Sequence, residues 1–204
     1  MSQLRSLAAA SRHAEQYDSA SIFLHWAMAL LIALNWLLGQ TRPFFPAGGP
    51  RAAVLSTHML IGMSIGVLLL VRIAWRAGPG RRLAAERGGL GLVGKAMHLA
   101  LYAAIGVTVL AGLTRALAHG IRLYGTEVVP RVALVAHGPL ALLAHLHGTL
   151  ADLVGVLAAL HALAALAHHF VLGDFVLLRM APFLPAALRP ARLRAGAHQP
   201  PRGG

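Results

Sequence analysis

Four long apolar runs, separated by shorter polar stretches, dominate the hydrophobic pattern of this chain. They cover Ser21–Gly39, about Val54–Trp75, about Ala96–Leu113 and about His147–Leu172. Each is close to the roughly 20 residues that an α-helix needs to cross the hydrocarbon core of a bilayer. The first run is longer than the apolar region of a usual signal peptide and holds a His-Trp pair, which favours a retained span. We therefore predict an all-α integral membrane protein, a bundle of four transmembrane helices.

The polar stretches divide the chain into three parts. Residues 1–18 are predicted to form an N-terminal tail, residues 19–184 the four-helix membrane domain, and residues 185–204, rich in Pro, Arg, Ala and Gly, a disordered C-terminal tail. The segment Arg131–Ala144 is also apolar, but it is short and is broken by Gly138-Pro139. We expect it to form a re-entrant or interfacial stretch that leads into the fourth helix.

Composition supports a membrane protein and narrows its chemistry. Of the 204 residues, 57% are hydrophobic and only 12% are charged, and the mean hydropathy is +0.67, values typical of a polytopic membrane protein. The net charge of +12 does not indicate nucleic acid, because the basic residues lie between the apolar runs, where topology and anionic lipid headgroups explain them. The absence of cysteine excludes disulfides, thiolate-ligated iron–sulfur clusters and covalently attached haem.

The distribution of basic residues predicts the orientation in the membrane. Thirteen of them lie in the N-terminal tail, between Arg72 and Lys95, or after the fourth run, and five lie in the other two loops. Because cytoplasmic loops carry the excess of Lys and Arg, both termini are predicted to be cytoplasmic. The chain is accordingly expected to be a multi-pass membrane protein.

Four histidines in the apolar runs fall at two depths under this topology. His147 and His161 are fourteen residues apart, so on one helix they point within about 40° of each other and lie about 21 Å apart along the axis. His25 lies near the cytoplasmic start of the first helix and His58 near the periplasmic start of the second. The four histidines therefore sort into two level pairs, His25 with His161 and His58 with His147.

Such pairs suit b-type haem held by two axial imidazoles. A haem iron in an electron carrier takes two strong axial nitrogens, which leaves no open position for oxygen. Neutral imidazole supplies one nitrogen and can donate from the other to a carbonyl that fixes its orientation. An ionisable side chain inside a membrane costs free energy, so its presence there indicates a functional role. Two haems stacked along the membrane normal would carry an electron from one face to the other.

At these residues the sequence resembles the bacterial di-haem cytochrome b561 family, and more closely its superoxide:ubiquinone oxidoreductase branch. The resemblance covers roughly residues 15–183. It is carried by Tyr17-Asp18 to His25-Trp26, Thr57-His58 with Gly62, Met97-His98-Leu99 with Tyr102, and the block from His147 through His161 and His168-His169 to Leu178-Arg179-Met180. It implies two b haems on the residues matching His25, His58, His147 and His161. It also implies electron transfer from periplasmic superoxide to ubiquinone.

Further residues are candidates for contacts with the cofactors. His168 points within about 20° of the direction of His161 on the same helix. A ubiquinone carbonyl needs a hydrogen-bond donor and a proton source, and His168 could serve as both. Equally, His168 and His169 could simply be histidines that mark the membrane interface. His98 is a candidate for contact with a haem propionate, a quinone or lipid headgroups.

Arg72, Arg76 and Arg179 are candidates for contacts with haem propionates, although the positive charge of cytoplasmic loops explains each of them equally well. His145 and His137 are expected at the interface or surface, and Asp152 either orients a ligand or faces headgroups.

Two other functions remain open from the sequence. The chain could be the haem-b anchor of a respiratory dehydrogenase or hydrogenase, or an electron donor to a periplasmic partner. A histidine-lined metal or proton transporter is a third hypothesis, but the apolar runs hold few carboxylates.

Overall fold

The computed structural model describes residues 16–80, 89–132, 139–172 and 176–183, apart from the side chain of Leu90. Four long helices make up most of it: α1 Ser19–Thr41, α2 Gly49–Ala77, α3 Gly89–His119 and α4 Leu140–Ala167. Each is part of a segment long and apolar enough to cross a membrane. The predicted class, an all-α protein with four membrane spans, is confirmed. Helices α1, α2 and α3 extend beyond the predicted apolar runs at both ends, whereas α4 begins seven residues earlier and ends at Ala167.

The start of α1 is defined by a side-chain cap. Asp18 accepts hydrogen bonds from the backbone N–H of Ser21 at 2.9 Å and from its hydroxyl at 2.7 Å, which satisfies one of the unpaired donors of the first helical turn. The same carboxylate accepts from the Trp75 indole at 3.0 Å. The cap thus also ties the beginning of α1 to the end of α2.

The interior of the bundle is a small apolar layer halfway along the helices. Its buried members come from all four helices: Met28, Ile65, Leu69, Ile105 and Val154. The closest packing is between α3 and α4 and between α1 and α2. Many large apolar side chains on the outside are exposed, including Leu70, Leu110 and Val156, as expected for a surface that faces lipid.

A β-hairpin between α3 and α4 is not anticipated by the hydrophobic pattern. Strands β1 Ile121–Leu123 and β2 Thr126–Val129 pair antiparallel. The two turn residues, Tyr124 and Gly125, both have positive φ, of 50° and 92°, which matches the twist of the flanking strands. The hairpin lies against α2, where Ser56 Oγ accepts from the Tyr124 backbone N–H at 3.0 Å and the Tyr124 hydroxyl meets that of Thr57 at 2.9 Å.

The expected re-entrant stretch Arg131–Ala144 is wrong in its second half. Helix α4 begins at Leu140, so residues 140–144 belong to the membrane-spanning helix. Pro139 precedes the helix and its carbonyl accepts from the Leu143 N–H at 3.0 Å. A proline at a helix start costs no hydrogen bond, because the first N–H groups have no partner within the helix. Residues 133–138, including His137, lie outside the described part of the chain.

The two ends of the bundle differ in what closes them. Beyond α4 the helix widens into a π-helical turn at His168–Leu172, and a short helix α5, Val176–Met180, follows. The carbonyl of Met180 accepts from the Trp26 indole at 2.7 Å and that of Arg179 from the Tyr17 N–H at 3.3 Å. We call this the terminal end, and the opposite one, which carries the β-hairpin, the hairpin end. The predicted tails, apart from residues 16–18, lie outside the described residues.

Asp152 joins α4 to α1 within the span. Its carboxylate accepts from the Gln40 amide at 2.6 Å and from the Trp36 indole at 3.1 Å. We expect Asp152→Ala to lower the free energy of unfolding by about 1–3 kcal/mol, because two donors lose a charged acceptor. The measurement is the melting temperature in detergent, with His145→Ala, an exposed residue on the same helix, as the control. Equal melting temperatures for the two variants would contradict a structural role for Asp152.

Candidate functional site

At the hairpin end, His58 of α2 and His147 of α4 face each other. Their ring centroids are 6.0 Å apart and the ring planes cross at 84°. Nδ1 of His58 lies 3.1 Å from the carbonyl oxygen of Asn35, and Nδ1 of His147 lies 2.9 Å from that of Thr108. Because a carbonyl only accepts, each Nδ1 carries the proton and donates it. Each neutral ring therefore keeps the lone pair of Nε2 free to bind a metal.

Gly112 of α3 makes room for the His147 ring. A Cβ atom at position 112 would lie 2.7 Å from Cε1 and 2.9 Å from Nδ1 of His147. Any side chain there would push the ring away from α3 and from the Thr108 carbonyl. Glycine at this position thus serves the close approach of a histidine ring to a helix backbone.

At the terminal end, His25 of α1 and His161 of α4 form a second pair. Their ring centroids are 6.2 Å apart and the planes cross at 68°. His147 and His161 are separated by about 21 Å along α4, and the buried Val154 lies midway between them in sequence. The structure therefore brings together the two pairs that the predicted topology had matched by depth, one on each side of the apolar layer.

Arg72 of α2 is buried beside the terminal-end pair, with 6% of its surface exposed. Its guanidinium donates to the Tyr102 hydroxyl at 3.0 Å, to the Ser21 carbonyl at 3.2 Å and to Nδ1 of His25 at 3.3 Å. Guanidinium has no acceptor atom, so Nδ1 of His25 is the acceptor in this contact. In this contact Nδ1 of a neutral His25 ring is unprotonated and Nε2 carries the proton, the reverse of His58 and His147. For Nε2 of His25 to bind a metal, the ring must take the other tautomer and the guanidinium must turn away from Nδ1.

His98 of α3 also reaches this end of the bundle. Its ring centroid lies 5.2 Å from that of His161, closer than His25 is, and its side chain is partly exposed. His98 thus flanks His161 from the side of α3. The structure places it at the edge of the terminal-end pair and leaves its role as a propionate or quinone contact a prediction.

The spacing of the two pairs fits a metal ion held between two imidazoles. A metal–imidazole bond is about 2.0 Å long and each ring centre lies roughly 1.1 Å beyond the bonded nitrogen, so opposed ligands have centroids about 6 Å apart. Both pairs, at 6.0 and 6.2 Å, match this value. The contact between His98 and His161, at 5.2 Å, is too short for it. Paired neutral imidazoles are also the ligands expected for a low-spin b-type haem iron.

The remaining sequence candidates are found at the terminal end. The guanidinium of Arg76 lies over the Tyr17 ring, 5.2 Å from its centroid. Nε of Arg179 is buried and has no hydrogen-bond partner within the described part of the chain. His168 is half-buried and His169 is completely buried. Since the π-helical turn starts at His168, angles extrapolated from an ideal α-helix do not hold beyond it.

Several contributors to these sites are not recognisable in the sequence. The carbonyls of Asn35 and Thr108 belong to the backbone and carry no residue-type signal. Arg42, at the hairpin end, interacts electrostatically with His58, and its Nε is buried with no hydrogen-bond partner among the described residues. The only signal for Arg42 in the sequence is its position directly after the first apolar run. That end of the first helix is expected at the same membrane depth as His58. His145 is exposed, as expected for a residue that points away from the pairs.

Comparison with known proteins shows the family of the chain. Residues 16–183 match the family model described as prokaryotic cytochrome b561. Cytochrome b562 of Cereibacter sphaeroides is 32% identical, over 80% of this chain and 94% of its own length. Cytochrome b561 homolog 2 of Escherichia coli K12 is 30% identical, over 81% and 91%. A protein of Yersinia pestis called probable superoxide oxidase CybB is 29% identical, over 82% and 97%. The chain belongs to the prokaryotic cytochrome b561 family, electron-transferring membrane cytochromes that bind b-type haem.

Proposed function

We propose that this protein binds two b-type haems and transfers electrons from superoxide to ubiquinone. His58 and His147 would hold one haem at the hairpin end, and His25 and His161 would hold the other at the terminal end. The observation that carries the proposal is the presence of two histidine pairs, both about 6 Å between centroids, on opposite sides of the apolar layer. When bound, the haems supply one-electron transfer along the membrane normal.

The residues around the hairpin-end pair suit this role. The bonds from His58 and His147 to backbone carbonyls fix both rings and hold the proton on Nδ1. The β-hairpin lies beside this pair through its contacts with Ser56 and Thr57, next to His58 in sequence.

The charge distribution supports an outward-facing hairpin end. With both termini in the cytoplasm, the hairpin end faces the periplasm. Of the basic residues expected at that face, Arg131 is exposed, Arg122 is exposed but pairs with Glu127 at 3.5 Å, and Arg51 is held by the carbonyls of Pro43 and Phe45. An exposed arginine such as Arg131 attracts an anion such as superoxide and increases its rate of encounter. The name of the Yersinia pestis relative is consistent with this substrate.

The terminal end suits ubiquinone reduction. Two superoxide ions would each lose one electron to become dioxygen, and the two electrons with two protons would convert one ubiquinone to ubiquinol. His168 is the candidate to donate a hydrogen bond to the quinone carbonyl and to relay protons from the cytoplasm. Arg179 and Arg76 are the candidates for propionate contacts on the same side.

A spectroscopic experiment tests the proposal. The purified protein is expected to contain two haems per chain, to be reduced by a pulse of superoxide, and to be reoxidised when a ubiquinone analogue is added. If the protein contains two haems but superoxide does not reduce them, superoxide is not the substrate. That result would favour an anchor or electron-transfer subunit of a respiratory dehydrogenase or hydrogenase, or an electron donor to a periplasmic partner. A colourless protein would contradict both functions and favour the transporter hypothesis.

A further inference from the structure

The two histidine pairs are alike in spacing but opposite in their surroundings. At the hairpin end, both Nδ1 atoms donate to backbone carbonyls. At the terminal end, Nδ1 of His25 accepts from the buried guanidinium of Arg72. From the sequence, Arg72 is predicted either to contact a haem propionate or to reflect only the positive charge of cytoplasmic loops. Its burial and its contact with a ligand candidate point to a second role.

Hydrogen bonds at the hairpin end favour the oxidised state of a metal bound there. A ring that donates from Nδ1 to a carbonyl gains electron density at Nε2 and becomes a stronger ligand. A stronger donor stabilises ferric iron over ferrous iron, and the reduction potential falls. This effect acts on both His58 and His147.

The surroundings of His25 have the opposite effect. The positive charge of Arg72 close to His25 favours the state of the site that carries one more electron. The charge of Arg72 is poorly screened, because the side chain is buried. Among the described residues, the ion pair is that of Arg122 with Glu127, on the hairpin. Within this part of the chain, Arg72 therefore has no carboxylate at ion-pair distance that would neutralise its charge.

The position of Arg72 is maintained by contacts to two other helices. Tyr102 of α3 and the Ser21 carbonyl of α1 hold the guanidinium between them. When Nε2 of His25 binds iron, Nδ1 carries the proton, so the guanidinium must turn from His25 to another acceptor such as a haem propionate; its charge still lies at the terminal end. The electrostatic effect therefore does not depend on which of these two partners it contacts.

We propose that Arg72 is a positioning residue that raises the reduction potential of the terminal-end haem above that of the hairpin-end haem, and so directs electrons towards the terminal end. This inference rests on the proposed assignment of the four histidines as haem ligands. It adds a direction to the electron transfer, which the ligand assignment alone does not contain.

The test is a potentiometric titration of purified holoprotein, followed by visible spectra and by haem content. Arg72→Gln is expected to lower the midpoint potential of one haem and to leave the other unchanged. Arg72→Lys, which keeps the charge, is expected to retain most of the wild-type potential. The matched control is Lys95→Gln, which removes a charge from an exposed side chain three residues before His98 on α3, and a smaller shift is expected. Unchanged potentials in Arg72→Gln, or equal shifts in the Gln and Lys variants, would overturn the proposal.

A second measurement covers the case in which Arg72→Gln fails to assemble. His147→Ala should retain only the terminal-end haem and His161→Ala only the hairpin-end haem, and the former is expected to titrate at the higher potential. The reverse order would overturn the proposed role of Arg72. If either variant retains both haems or loses both, the ligand assignment itself is wrong, which distinguishes failure of the proposed function from failure of this inference.

Discussion

Alanine in place of His147 is expected to reduce the haem content from two per chain to one. The His58 ring alone cannot hold the haem at the hairpin end, because a non-covalent b-type haem depends on its axial ligands and on packing. The apolar layer of Met28, Ile65 and Val154 separates the two sites, so the terminal-end haem should remain. The measurement is the haem-to-protein ratio together with the reduced-minus-oxidised spectrum.

His161→Ala is the complementary variant and His145→Ala the matched control. His161→Ala should remove the terminal-end haem and leave a different single-haem spectrum. His145 lies on the same helix as His147 but is exposed, so its alanine variant should keep both haems. Full haem content in His147→Ala, or loss of haem in His145→Ala, would show that the hairpin-end ligands are assigned incorrectly.

Gly112→Ala should have a similarly large effect on the hairpin-end haem without altering any ligand. The new Cβ would lie within 2.7–2.9 Å of two atoms of the His147 ring, so the ring must move. Movement breaks its 2.9 Å contact with the Thr108 carbonyl and turns Nε2 away from His58. We expect a destabilisation of about 1–3 kcal/mol and loss of most of the hairpin-end haem, measured by melting temperature and haem ratio.

Gly106→Ala on the same helix is the control for this prediction. Its Cβ would meet only Leu69, at an ordinary contact distance of 3.7 Å, and alanine is a better helix former than glycine. We expect normal haem content and equal or slightly higher stability. If both variants behaved alike, the crowding of His147 would not be the cause of the defect in Gly112→Ala.

Much of the architecture could be predicted because a membrane imposes simple rules on sequence. Every backbone polar group in a lipid-exposed span must be paired internally, so long apolar runs become helices. The rise and rotation per residue of a helix then set the relative depth of His147 and His161. The alternating direction of successive spans then matched each of them with His25 or His58, and the structure places those rings together.

The hairpin and the end of α4 could not be predicted in the same way. Residues 121–129 show no strong alternation of apolar and polar positions, and the Tyr124-Gly125 turn depends on positive φ values that are uncommon for tyrosine. Docking on Ser56 supplies a partner for the Tyr124 N–H. The π-helical turn at His168 likewise depends on packing near the end of the chain, and it buries His169 completely.

The sequence by itself determined the four spans, the two histidine levels and the absence of thiolate or covalent haem chemistry, because these follow from local periodicity, composition and charge. Only the tertiary structure decided how each histidine is held. The carbonyls of Asn35 and Thr108, the space at Gly112 and the guanidinium of Arg72 all act across helix interfaces. Such contacts join residues distant in sequence, and three-dimensional packing alone brings them within hydrogen-bonding distance.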